Sequence, residues 1–218
     1  MNAIRDALPA ALAIAISAAP ILVIVLMLVT TRPARVAWTF LAGWALGIAT
    51  AASIIVVAVD VSVPRGRPTA AGALVRVLLG IALLALAVRS WRRRAAAGTP
   101  KWMTGAGSWS AARALAIAFA LGAVNPKNLA LTAAGMSSVL DATDLPREQA
   151  AAVAVFAVIA SLSLAIPILL GTAGGPRIRG SLSRAGEWMT ANGKTISVAV
   201  LAAIGIVLVV GGVRVLRA

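Results

Sequence analysis

Six times along this chain an apolar run of about 20 residues recurs, each almost free of charge. A helix of that length spans the hydrocarbon core of a bilayer, and a backbone in hydrocarbon must satisfy its own N–H and C=O groups. The runs cover residues 8–29, 36–59, 71–88, 111–140, 150–170 and 195–215. No polar stretch between them is long enough for a soluble domain. The sequence therefore predicts one all-α integral membrane domain over residues 1–218, with six transmembrane helices.

Composition enters where other classes must be excluded. The chain is 61% hydrophobic and 12% charged, with mean hydropathy +0.99, against about a quarter charged in soluble domains. Its net charge is +14. The basic residues sit in short loops between apolar runs, so orientation and lipid headgroups account for them, and no nucleic-acid motif accompanies them. Cysteine and histidine are absent, which excludes disulfides, thiolate chemistry and imidazole metal sites. Arg5 followed by an apolar run resembles a secretion signal, but the run continues to residue 29, so it is expected to stay as the first span.

Loop charge sets the expected orientation. One side collects Arg32 and Arg35, the central Arg89, Arg92, Arg93, Arg94, Lys101 and Arg113, and then Arg177, Arg179, Arg184 and Lys194. The other collects Arg5, Arg65, Arg67, Arg76, Arg147, Arg214 and Arg217. The first set is richer. That places the central linker in the cytoplasm and both termini outside the plasma (inner) membrane, with Arg65, Arg67 and Arg76 arguing the other way. Ile178, Leu182, Ala185, Trp188 and Met189 fall at helical spacing within residues 177–194, predicting a short helix in the headgroup region or a plain loop. The six tryptophans lie mostly near span ends, as interface anchors do.

The linker, residues 92–110, divides the chain into three spans over 7–91 and three over 111–218. Three is odd, so the second half enters from the opposite side, as in an inverted repeat. The first span of each half carries a proline, Pro20 in "AISAAPILV" and Pro126 in "GAVNPKNLA". Interruptions at matching positions point to a binding site between the halves. Two unrelated kinks are the alternative.

Around Pro126 the chain reads as two half-helices. Gly122 is read as a stop, Asn125 as an N-cap and Pro126 as the first helical residue. A helix starting inside the membrane presents unpaired N–H groups and a positive dipole end to an anion. Lys127 adds a full charge there. Burying it in lipid costs roughly 3 kcal/mol on insertion scales, so it should face the bundle interior or a wet cavity. No acidic residue lies mid-span to neutralise it. Snorkelling to an interface is the alternative. Asn125 and Asn128 either serve a ligand or only cap the break. Ser17 either caps near Pro20 or bonds a facing helix. Thr132, Ser161 and Ser163 are read as ordinary interhelical contacts.

The stretches "AISAAPILVIVLMLVTTRPARVAWTFLAGWALG" and "LGAVNPKNLALTAAG" resemble the GAP family within the LysE-type exporter superfamily. This family comprises lipid-addressing proteins, including the sulfolipid- and glycopeptidolipid-addressing ones. "NPK" is shared across the superfamily and does not choose a substrate; the first-half proline and basic turn favour the GAP branch. "SAAP" departs from the more polar or proline-rich stretch expected there. The resemblance implies movement of lipid or glycolipid toward the cell surface; the absence of a mid-membrane acid fits an anionic or sugar headgroup, and the paired interruptions make Asn125, Pro126, Lys127, Asn128, Ser17 and Pro20 the candidate substrate-binding residues. A LysE-type exporter of amino acids or other small solutes is a second reading, as the carbonyls of residues 122–124 could hold an ammonium. A non-transporting partner of a larger lipid exporter is a third. Membrane lipids, such a complex or a second copy of the chain are the candidate partners. No cofactor is implied, no nucleotide-binding loop is present, and no carboxylate pair, histidine or thiol suggests an enzyme.

Overall fold

The computed structural model describes residues 2–29, 34–62, 70–92, 105–173 and 176–217. Most of the basic turn at 30–35, the loop at 63–68 and most of the linker lie outside them. Among the described residues the chain is helical throughout, with no strand. The α-helices are α1 (Asn2–Ala15), α2 (Ala18–Val29), α3 (Arg35–Ser62), α4 (Ala70–Arg92), α5 (Ala111–Ala123), α6 (Pro126–Ala142), α7 (Pro146–Ala173) and α8 (Pro176–Arg217). Among the described residues, four helices are long and apolar enough to cross a membrane, and the number reaches six if each bent pair counts as one span. Those pairs are α1 with α2, bent by 55°, and α5 with α6, bent by 57°.

Two expectations are corrected at this level. The first interruption falls at Ile16 and Ser17, not at the proline. Pro20 is the third residue of α2, in the first turn, where its missing N–H would have had no helical partner anyway. It starts a helix rather than breaking one. Residues 177–194 form no separate interfacial helix. They are the first part of α8, which runs unbroken for 42 residues, about twice the length a bilayer core requires. Gly180 and Gly186 lower helix propensity here, but tertiary contact overrides it. Gly186 is buried, and a Cβ there would lie 3.1 Å from Val25 of α2.

In lipid the bundle cannot rely on hydrophobic exclusion, so close packing of small residues carries it. Along α3, Gly43 and Gly47 bring the backbone so near α5 that a Cβ would overlap the carbonyl oxygens of Leu115 and Phe119. Gly122 of α5 answers from the other side, where a Cβ would stand 2.8 Å from the Trp44 carbonyl oxygen. α4 and α8 approach in the same way through Gly80, Gly205 and Gly212. α1 offers Ala3, Ala7, Ala10, Ala11 and Ile14, all buried, and packs on α6 and α7. Further packing joins α3 to α7, α2 to α8, α4 to α6, α3 to α6 and α2 to α7.

Trp44 and Trp109 correct the tryptophan reading. Each is 1% exposed. Trp44 fills the core and its indole N–H donates to the Ala160 carbonyl of α7 at 3.3 Å. Trp109 follows a 3-10 turn, Ala106–Ser108, that seats against α2, and the Arg113 guanidinium lies 5.8 Å from its ring centroid. Trp38, Trp91 and Trp188 are exposed, as interface anchors are.

Candidate functional site

The α5–α6 junction is built from its capping groups. α5 ends when the Val124 N–H reaches the Ala120 carbonyl at 2.9 Å, with Val124 at φ −113° and ψ −9°. Gly122 is therefore not the stop signal it resembled; it is a helical residue kept small by α3. Asn125 takes an extended conformation and caps α6, its Oδ1 accepting the Lys127 N–H at 3.0 Å. Pro126 occupies the first turn, where its fixed φ suits the helix.

This cap leaves the helix start less open than the sequence suggested. Pro126 has no N–H, the Lys127 N–H is taken by Asn125, and the Leu129 N–H reaches the Asn125 carbonyl at 2.9 Å. Only the Asn128 N–H of the first turn is left without one of these bonds. Most of the positive character of the junction thus comes from the Lys127 side chain and the helix dipole, not from a row of free amides.

Asn128 closes the break from within. It is fully buried, and its Nδ2 donates across the junction to the Leu121 carbonyl at 2.9 Å. This bond satisfies one of the last carbonyls of α5 and holds the two half-helices at their angle. The amide is then half used. Among the described residues its Oδ1 is buried without a partner, as are the Lys127 Nζ and the Thr132 Oγ1. Buried polar atoms in native proteins are paired with few exceptions, and each exception calls for a reason. Here one ammonium, one amide oxygen and one hydroxyl are left unsatisfied within six residues of one half-helix.

Asn125, Pro126, Lys127 and Asn128 therefore meet in one junction. Ser17 and Pro20 are both buried but belong to the α1–α2 junction, and no hydrogen bond links Ser17 to residues 125–128 among the described residues. Snorkelling is not what Lys127 does in this fold, because its Nζ has no exposure to solvent. Thr132 is the residue that sequence reading misjudged. It is fully buried and its hydroxyl has no hydrogen-bond partner among the described residues, whereas Ser161 simply bonds back to the Ala157 carbonyl of its own helix at 2.7 Å. The spacing of Asn128 and Thr132, one turn apart on one face of α6, was the signal available.

A second polar feature lies at the far end of α6. Asp141 forms an ion pair with Arg76 of α4. Their side chains are 50% and 25% exposed, so this pair sits at the rim and offers Lys127 no counter-charge.

Among known proteins, the family described as "Sap, sulfolipid-1-addressing protein" has a model that matches residues 7–214. No curated protein and no solved structure matches the chain.

Proposed function

The chain belongs to the sulfolipid-1-addressing protein family, and on that premise we propose that it moves a lipid or glycolipid with an anionic headgroup toward the cell surface, by itself or as the membrane partner of a larger exporter. The observation that carries this reading is the buried, unpartnered ammonium of Lys127 at the start of a half-helix. An ammonium in hydrocarbon costs roughly 3 kcal/mol, and a helix N-terminus beside it adds attraction for an anion. A site that will receive negative charge gives both features a use. The headgroup would engage Lys127, Asn128 and Thr132 at the junction while its tails stay in the bilayer.

The small-solute reading fares less well. It calls on the carbonyls of residues 122–124 to hold an ammonium, yet the unpaired charge at this junction is the Lys127 ammonium, which would repel one.

The proposed architecture is an inverted repeat in which α1, α2, α3 and α4 correspond to α5, α6, α7 and α8. Exchanging the halves turns the α3–α5 packing into α7–α1, α2–α8 into α6–α4, and α3–α6 into α7–α2. It maps α4–α8 and α3–α7 onto themselves. All of these pairs are in contact, which supports the repeat. The α1–α6 packing has no counterpart of comparable extent between α5 and α2; α2 instead receives the 3-10 turn of the linker. Both termini outside the plasma membrane remains the orientation that loop charge favours. Arg76, counted against it, is tied to Asp141 at the rim of the bundle, so it is a weak topological signal.

The test is translocation of a headgroup-labelled anionic glycolipid in proteoliposomes. Lys127→Met should abolish it while the protein remains folded; unchanged translocation would refute the site.

A further inference from the structure

The outer face of α4 carries a feature the transport site does not use. One side of this helix, through Ala73, Gly80, Leu83 and Ala87, is buried in the bundle. The opposite side is an apolar ridge in which Leu74, Leu78, Ile81 and Val88 are each more than half exposed. At the end of α4 that leads into the linker, the ridge runs into Arg89 and Arg92, both exposed. Ala85, Val88, Arg89 and Arg92 form one open surface patch there. They share a face because they are spaced by three, one and three residues.

Trp91 gives the depth of this site. It is 63% exposed, and an outward tryptophan at the end of an apolar helix marks the headgroup level of a bilayer. The two guanidiniums are therefore held where lipid phosphates lie, three residues apart, directly beyond a ridge that fits acyl chains. Neither forms an ion pair among the described residues, and each guanidinium offers a planar fork of donors suited to phosphate. A soluble anion would use the arginines but not the ridge; a zwitterionic lipid would use the ridge but gain little from the charge.

We propose that the linker-side end of α4 is a binding site for an anionic phospholipid, with its phosphate on Arg89 and Arg92 and an acyl chain along Val88, Ile81 and Leu78. The site is separate from the α5–α6 junction and does not depend on the transport reading.

The test uses the full chain, purified in detergent and supplied with phosphatidylglycerol or phosphatidylcholine of the same acyl composition, with bound lipids counted by native mass spectrometry. The wild-type protein should retain phosphatidylglycerol in preference by roughly ten- to thirtyfold, the effect of two surface arginines. Arg89→Gln with Arg92→Gln should bring that preference close to one, and Arg214→Gln with Arg217→Gln, at the other end of the bundle, should leave it intact. Three results would overturn the proposal: no preference in the wild type, an equal loss in both double variants, or a dimer joined by cross-links through residue 81 that excludes lipid from this face.

Discussion

Replacing Lys127 by methionine should make the empty protein more stable while removing the proposed lipid translocation. Methionine keeps the length and the apolar stem, so the volume around the side chain hardly changes. What disappears is a buried ammonium with no hydrogen-bond partner. Leaving a buried polar group unsatisfied costs roughly 1–3 kcal/mol, and placing a lysine at mid-membrane costs roughly 3 kcal/mol on insertion scales. The variant should therefore gain about 1–3 kcal/mol. For a chain of this size each kcal/mol moves the midpoint by about 2–4 °C, giving a rise of roughly 2–12 °C. Thermal unfolding in detergent, followed by intrinsic tryptophan fluorescence, reads this directly. Lys127→Arg keeps the charge and should show no gain. The reasoning fails if Lys127→Met is destabilised by about 1 kcal/mol or more, because the ammonium would then be part of the fold's own bonding. A gain in stability at the expense of function is the pattern expected of a residue kept for its task.

Other perturbations test the scaffold. Gly47→Ala should lower stability by roughly 1–3 kcal/mol, because its new Cβ meets the Phe119 backbone, which cannot turn aside; Gly211→Ala, with nothing within 4 Å, should be neutral or slightly stabilising in the same unfolding assay. Asn125→Ala removes the cap of α6 and should cost about 1 kcal/mol, visible as faster amide exchange at the start of that helix. A double-mutant cycle on Arg76→Gln and Asp141→Asn should return a coupling of about 0.5–1 kcal/mol, as befits a rim pair, and a coupling near zero would show that the ion pair does not hold α4 to α6.

The parts of this fold written plainly in the sequence are those fixed by local chemistry. Span positions follow from runs of apolar residues, and the α5–α6 break follows from an asparagine and a proline that both favour a helix start. What depended on neighbours was misread. Gly122 resembled a stop because glycine serves both tight turns and close helix approach, and only the position of α3 decides between them. Gly180 and Gly186 hinted at an interrupted segment, yet contact with α2 keeps α8 continuous. Trp44 sits two turns into a span and could have been recognised as core by that depth, whereas nothing local distinguishes the buried Trp109 from an interface anchor. Within the candidate site, Lys127 and its neighbouring asparagines were legible as oddities in an apolar setting. Thr132 was not, because a threonine in a membrane helix ordinarily bonds back to its own backbone, and only the folded chain reveals that this one does not.

The central claim is that the α5–α6 junction receives a negatively charged headgroup at Lys127. Its most direct test is an experimental density map of the protein in lipid nanodiscs containing an anionic glycolipid. The account predicts a headgroup within hydrogen-bond distance of the Lys127 ammonium and the Asn128 amide oxygen, absent from the Lys127→Met protein. A continuous fourth span, or a headgroup bound elsewhere and equally well by both proteins, would contradict it.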